Sequence, residues 1–169
     1  MEQHRPILET LRQLAARPQG AARPLAVYDL DSTLFCTGPR NFAIARAFAH
    51  YRPQITPFLE QLDPHSMGWN IMQDLADIGF RDKAITLELR AFWRATFFTD
   101  HFVKQDSVYP GAVELVKAIR QAGCFTYYLT GRDEPGMRQG TLEAMAIAGL
   151  PMPGEDVIAG LARKIADTK

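Results

Sequence analysis

The sequence has few cysteines, no excess charge of either sign and no long apolar run. Its two cysteines, Cys36 and Cys124, are too few for a disulfide framework or a cysteine-rich metal cluster. The 19 basic residues balance the 19 acidic ones, so overall charge does not favour nucleic acid or an anionic membrane as a partner. Because no apolar run could span a bilayer and charged residues interrupt the N-terminus, we expect a cytoplasmic protein without a membrane partner.

The sequence also lacks a P-loop, a GxGxxG fingerprint, a nucleophile elbow and a CxxC pair. None of these motifs therefore competes for the assignment of function. What is present is a hydrophobic fraction of 47% over 169 residues, which is enough to form a buried core. This size predicts one domain with an insertion, not two full domains.

The segment from residue 25 to 35, LAVYDLDSTLF, combines a strand pattern with two carboxylates. Its apolar start, rich in β-branched and aromatic residues, predicts a buried strand. Asp29 and Asp31 follow at the C-terminal end, where open α/β sheets bind their ligands. Two carboxylates this close need a cation, a shared proton or a sharp turn to coexist. The alternative to a functional site is an Asx-turn, in which Asp31, Ser32 and Thr33 bond local amides.

A second predicted strand, over residues 125–129, ends in Thr130, Gly131 and Arg132. A hydroxyl at the end of a strand, next to a glycine that lets backbone amides approach, is an arrangement that holds phosphate. The alternative is a threonine that caps the next helix. Arg132 could bind phosphate through two hydrogen bonds or pair with a neighbouring carboxylate, Asp133 or Glu134, and the sequence favours neither.

With one strand ending in Asp-x-Asp-x-Thr and another in Thr-Gly-Arg, the chain resembles the haloacid dehalogenase superfamily of phosphohydrolases. The resemblance implies that Asp29 is the nucleophile that becomes aspartyl-phosphate and that Asp31 is the general acid and base. It implies that Thr130, beside Gly131, binds the transferring phosphoryl group. It also implies a Mg²⁺ cofactor that contacts the Asp29 carboxylate and the main-chain carbonyl of Asp31.

Strands and helices alternate in the sequence with short links, which predicts a parallel sheet. A third strand is expected over residues 156–160. Together with the resemblance, this predicts an α/β fold: a three-layer Rossmann-like parallel sheet core, incomplete at the C-terminus, with an inserted all-helical cap. The predicted boundaries are 1–24 for an N-terminal helix and linker, 25–35 and 109–169 for the phosphatase core, and 36–108 for the cap.

The cap region shows helical periodicity near residues 41–51, 67–78 and 82–98, and no good strand. In the resembled family, a helical insertion at this place closes over the active site and selects the substrate. The region contains eight basic and eight acidic residues, so it is a poor nucleic-acid clamp. We therefore expect a small phosphorylated metabolite as the substrate and no nucleic acid as a partner.

The sequence departs from the family after its third predicted strand. The family's phosphate-neutralising lysine has two candidates, Lys164 and Lys169. The family's later acidic pair, which completes the Mg²⁺ site, has no counterpart before the sequence ends. We therefore expect a truncated chain with weak or no activity. Its first strand would form an unpaired, hydrophobic sheet edge through which copies could self-associate.

These observations predict a Mg²⁺-dependent phosphatase, a phosphoric monoester hydrolase that forms an aspartyl-phosphate. Two alternatives remain open. One is a phosphotransferase of the same fold, which would differ only in the acceptor. The other is a non-catalytic module that binds phosphate without a complete metal site.

Overall fold

The computed structural model describes residues 5–18, 24–152 and 157–161. Lys164 and Lys169, the two candidates for a phosphate-neutralising lysine, lie outside these residues. No helix within the described ranges is both long enough and apolar enough to cross a membrane.

The described elements alternate between helices and short strands. The N-terminal part contains α1 (Arg5–Ala15), β1 (Leu25–Tyr28) and β2 (Phe35–Cys36). The middle contains α2 (Gly38–Ala49), a 3₁₀ turn (Pro53–Ile55), α3 (Thr56–Leu59), α4 (Ile71–Asp77), α5 (Lys83–Thr96) and α6 (Asp100–Val103). The C-terminal part contains β3 (Ser107–Val108), α7 (Ala112–Gln121), β4 (Phe125–Thr130), α8 (Glu134–Ala148) and β5 (Val157–Leu161).

The chain forms two compact units. The first comprises Met1–Leu34, Val108–Gly131 and Met145–Lys169, and the second comprises Phe35–Ser107 and Arg132–Ala144. The second unit thus takes in the start of α8, which the predicted boundaries of the helical cap did not include.

The first unit contains a parallel sheet with the strand order β1, β4, β5. Alternate residues of β4 are buried, namely Thr126, Tyr128 and Thr130, so one face of this strand packs inward. The prediction of a mixed α/β fold with a small parallel sheet is confirmed. The three-layer Rossmann-like arrangement stays a prediction.

Strand β1 pairs with β4 and, among the described strands, with no other. Its side chains Leu25 and Val27 are 57% and 52% exposed. This agrees with the expected hydrophobic sheet edge, whereas self-association through that edge remains a prediction.

The second unit is mainly helical and has its own apolar core. Asp82 caps the N-terminus of helix α5, and its carboxylate accepts hydrogen bonds from the amides of Ala84 and Ile85, each at 3.0 Å. A buried cluster draws on α2, α3, α4 and α5 and contains Ala45, Phe48, Ile55, Leu59, Met67, Ile71, Leu75, Phe80, Ile85 and Leu89. The three helices predicted in this region are therefore present, with α4 shorter than its periodic pattern.

Three local predictions were wrong, each for a physical reason. The region predicted to contain no strand, residues 36–108, has all of β3 and the second residue of β2. These two strands pair with each other but have two residues each, too few for a periodic pattern. Helices α3 and α6 were missed because each has only four residues. The adjacent Pro135 and Gly136 predict a loop, but they lie in the first turn of α8, where proline is tolerated because its missing amide has no helical partner.

Candidate active site

Asp29 and Thr130 stand at the ends of adjacent parallel strands. Asp29 directly follows the last residue of β1, and Thr130 is the last residue of β4. The strands pair with Tyr28 opposite Tyr128, so Asp29 is level with Leu129 and one residue short of Thr130. The register therefore brings both residues to the C-terminal edge of the sheet, which is where parallel sheets bind their ligands.

The chain turns sharply after Asp29. The amides of Thr33 and Leu34 donate to the Leu30 carbonyl at 3.3 and 3.0 Å. Ser32 has a φ of 57°, a left-handed conformation that is uncommon for a residue other than glycine. The turn keeps Asp31, which is half-buried, close in sequence and space to the strand end.

The Asp29 side chain is exposed and receives a hydrogen bond from within the turn. Thr33 Oγ1 donates to Asp29 Oδ2 at 3.3 Å. This contact was not predicted from the sequence, where Thr33 was considered only as a donor or acceptor for local backbone in an Asx-turn. It orients a carboxylate that remains accessible to a ligand.

The Asp29 carboxylate and the main-chain carbonyl of Asp31 are the groups at this edge through which Mg²⁺ is predicted to bind. Within the described residues, no group of three or more histidine, cysteine, aspartate or glutamate side chains could hold a metal ion. Asp29 and Asp31 nevertheless offer the oxygen donors that Mg²⁺ prefers, and proteins often bind this ion through one or two carboxylates, water and substrate phosphate. The two residues thus fit a Mg²⁺ ion shared with a phosphate ligand, not an ion enclosed by protein groups.

Arg132 has a partner that the sequence analysis missed. Its guanidinium is buried and donates to Asp106 Oδ2 at 2.7 Å and to Thr141 Oγ1 at 3.1 Å, all within the second unit. The partners weighed from the sequence were phosphate, Asp133 and Glu134. No local signal could have identified Asp106, because it lies 26 positions away in the chain.

Tyr28, the residue before Asp29, allows a test of the strand packing. Burial raises the pKa of its hydroxyl from 10.0 to about 12, and a smaller part of this increase comes from the electrostatic interaction with Cys124. Between pH 10 and pH 12 the unfolded chain binds fewer protons than the folded chain, because the hydroxyl ionises more readily when it is exposed. The contribution of the buried neutral hydroxyl to the free energy of unfolding is therefore fully present below pH 10 and is lost as the pH rises towards 12. The hydroxyl is buried and, within the described residues, makes no hydrogen bond.

We therefore expect Tyr28→Phe to leave the free energy of unfolding at pH 8 unchanged or slightly higher. The decrease in that free energy between pH 10 and 12 should be smaller than in the wild type by about 1 to 2 kcal/mol. Urea unfolding at pH 8 and at several alkaline values measures both effects. Tyr51→Phe, at a residue that is 67% exposed, is the control and should keep the wild-type pH dependence. An unchanged alkaline slope in Tyr28→Phe would contradict the assigned burial.

Comparison with known proteins gives limited information. No protein-family model and no curated protein matches the sequence. Among solved structures, the chain is similar to a hydrolase from Streptococcus pneumoniae TIGR4, with 12% identity and a TM-score of 0.43. The match covers 85% of this chain and 67% of that chain. A likeness at this level supports no inference about fold, substrate or mechanism.

Proposed function

We propose that this chain is a Mg²⁺-dependent phosphohydrolase that acts on a small phosphorylated metabolite through an aspartyl-phosphate intermediate. The observation that carries the proposal is the register of β1 and β4, which brings Asp29 and Thr130 to the same edge of the sheet. Phosphoryl transfer to a carboxylate needs a nucleophile and a phosphate-binding hydroxyl that approach one substrate together.

Each residue has a distinct proposed role. The exposed Asp29 side chain attacks phosphorus, and the Thr33 hydroxyl orients its carboxylate. Asp31 protonates the leaving oxygen and later removes a proton from the water that hydrolyses the intermediate. The Thr130 hydroxyl and the Gly131 amide bind the phosphoryl oxygens.

Asp29 and Asp31 are the residues that would hold Mg²⁺, whose charge, when the ion is bound, neutralises the phosphoryl oxygens. The hydrogen bond from Thr33 uses one lone pair of Asp29 Oδ2. A carboxylate oxygen has a second lone pair and can accept a further interaction. The carboxylate can thus keep this contact while it binds the ion.

A second candidate function is a phosphate-binding module without catalysis. The observation that favours it is the absence, among the described residues, of a three-ligand metal cluster. Such a module would bind inorganic phosphate through Thr130 and Gly131 but would not need the Asp29 carboxylate. The two functions therefore differ in whether ligand binding depends on Asp29.

Binding of beryllofluoride, a mimic of a phosphoryl group on aspartate, tests the proposal directly. Fluorine NMR or calorimetry is expected to detect saturable binding that requires Mg²⁺. The affinity should fall at least about 100-fold in Asp29→Asn, because the mimic bonds to the carboxylate. Asp77→Asn, at an exposed aspartate of α4, is the matched control and should bind like the wild type.

Two results would contradict the phosphohydrolase. The first is no binding of beryllofluoride by the wild type in the presence of Mg²⁺. The second is binding that Asp29→Asn retains. If inorganic phosphate binds with equal affinity to the wild type and to Asp29→Asn, the non-catalytic module is the better description.

A further inference from the structure

The second unit contains a groove between α2 and α3 that the proposed function does not use. Its volume is about 380 Å³, within the range of roughly 300 to 1,000 Å³ that is typical of small-molecule sites. The lining residues are Phe42, Arg46, Ala49 and His50 on the α2 side and Thr56, Leu59 and Glu60 on the α3 side. Phe42, Arg46 and Ala49 are spaced by four and three positions, so they share one face of α2, and His50, the residue after the helix, is four positions from Arg46.

Part of the groove is apolar and rigidly supported. Leu59 is 4% exposed and belongs to the buried cluster of the unit, and Phe42 and Ala49 pack against that cluster. The ring of Phe42 is half-buried and gives a flat aromatic surface to a ligand. An apolar body of one or two rings fits this surface and the volume above it.

Arg46 and His50 line the groove without an ion-pair partner among the described residues. Within the described part of the chain, the Arg46 guanidinium and the His50 imidazole form no ion pair and no side-chain hydrogen bond. Two other arginines of the unit do form ion pairs: Arg52 pairs with Glu88 at 2.6 Å, and Arg132 pairs with Asp106. Arg46 and His50, four residues apart at the same side of α2, can therefore bind one anionic group together.

We propose that this groove is a binding site for a small aromatic anion. The apolar body packs on Phe42, Ala49 and Leu59, and a carboxylate or sulfonate group with a single negative charge binds Arg46 and His50. Glu60 lies at the α3 side and repels an anion, which limits the affinity and selects against ligands with a second negative charge. The proposal is independent of the chemistry at Asp29.

Calorimetry with 2-naphthalenesulfonate, an aromatic anion that a phosphatase cannot hydrolyse, tests the site. We expect saturable binding to the wild type and an affinity about tenfold lower in Arg46→Gln. Glu60→Gln should bind a few-fold more tightly, because the repulsive charge is removed. The control is Arg90→Gln, which removes an exposed arginine of α5 outside the groove and should leave the affinity unchanged.

Two further measurements separate a specific site from general adsorption. The neutral analogue 2-naphthalenesulfonamide should bind at least about tenfold more weakly than the sulfonate. Thr56→Trp, at an exposed residue that lines the groove, should abolish binding by filling the volume. Circular dichroism of each variant verifies folding.

The proposal is overturned if the wild type shows no saturable binding up to about 10 mM sulfonate. It is also overturned if folded Arg46→Gln or Thr56→Trp binds like the wild type, or if the neutral analogue binds equally well. None of these outcomes depends on phosphatase activity.

Discussion

Asparagine in place of Asp29 is expected to lower kcat for phosphate-ester hydrolysis by about four orders of magnitude or more. The amide has nearly the same shape as the carboxylate and can still accept from Thr33 Oγ1, the contact that measures 3.3 Å in the wild type. It carries no charge and cannot form an acyl-phosphate. The loss would therefore report on the nucleophile and not on the structure of the turn.

Asp31→Asn should behave differently, because the role proposed for Asp31 falls both before and after the intermediate. With an activated substrate such as p-nitrophenyl phosphate, whose leaving group needs no proton, the first step should persist and hydrolysis of the acyl-phosphate should become slow. Acid quenching followed by mass spectrometry of the Asp29 peptide is expected to show accumulated phosphoenzyme in Asp31→Asn and none in Asp29→Asn.

Asp77→Asn serves again as the control, with hydrolysis at the wild-type rate and no accumulation. Equal turnover by the wild type and Asp29→Asn would remove Asp29 as the nucleophile. Phosphate attached to a residue other than Asp29 would do the same. The comparison depends on ratios between variants, so it holds at any absolute rate that the assay can measure.

The sequence could predict the elements that have a clear local pattern. The apolar run before Asp29 and the run before Thr130 both predicted strands, and β1 and β4 occupy these places. Their parallel pairing also followed, because a long, mainly helical segment separates them and parallel strands require a crossover connection. The edge of the sheet that carries Asp29 and Thr130 could thus be identified without coordinates.

Contacts over long sequence distances could not be predicted. Arg132 stands beside two acidic residues in the sequence, yet its charge partner is Asp106, which the chain brings to it from the end of the helical segment. Arg46 likewise resembles any exposed helical arginine until the packing of α3 against α2 forms the groove that it lines. Such pairings are set by tertiary packing, for which local propensity carries no signal.

The buried charge cluster around Asp106 gives the second large expected effect. Asp106 accepts from Arg40 Nε at 2.8 Å, and it also contacts Arg40 Nη2 and Arg132 Nη2. The side chains of Asp106 and Arg40 are 0% exposed, and that of Arg132 is 3% exposed. The ring centroid of Phe97 lies 4.4 Å from Arg40 Cζ, and the ring centroid of Phe35 lies 5.3 Å from Arg132 Cζ. An aromatic ring therefore borders each of the two cations.

We expect Asp106→Asn to lower the free energy of unfolding by about 3 to 5 kcal/mol. The variant keeps an acceptor oxygen but leaves two buried guanidinium groups without the carboxylate between them. For a chain of this size the loss corresponds to a decrease in Tm of about 10 °C. Urea denaturation and thermal unfolding measure the two quantities.

Glu88→Gln is the matched control, because it removes the acid from an ion pair with Arg52 whose side chains are 45% and 41% exposed. Solvent screens that pair, so the expected loss is much smaller than that of Asp106→Asn. The triple variant Arg40→Met, Asp106→Leu, Arg132→Met removes all three charges and should recover at least about 2 kcal/mol relative to Asp106→Asn.

If Asp106→Asn lost no more stability than Glu88→Gln, the three side chains could not form a buried cluster in solution. A triple variant no more stable than Asp106→Asn would show instead that the loss comes from disturbed packing and not from unpaired charge.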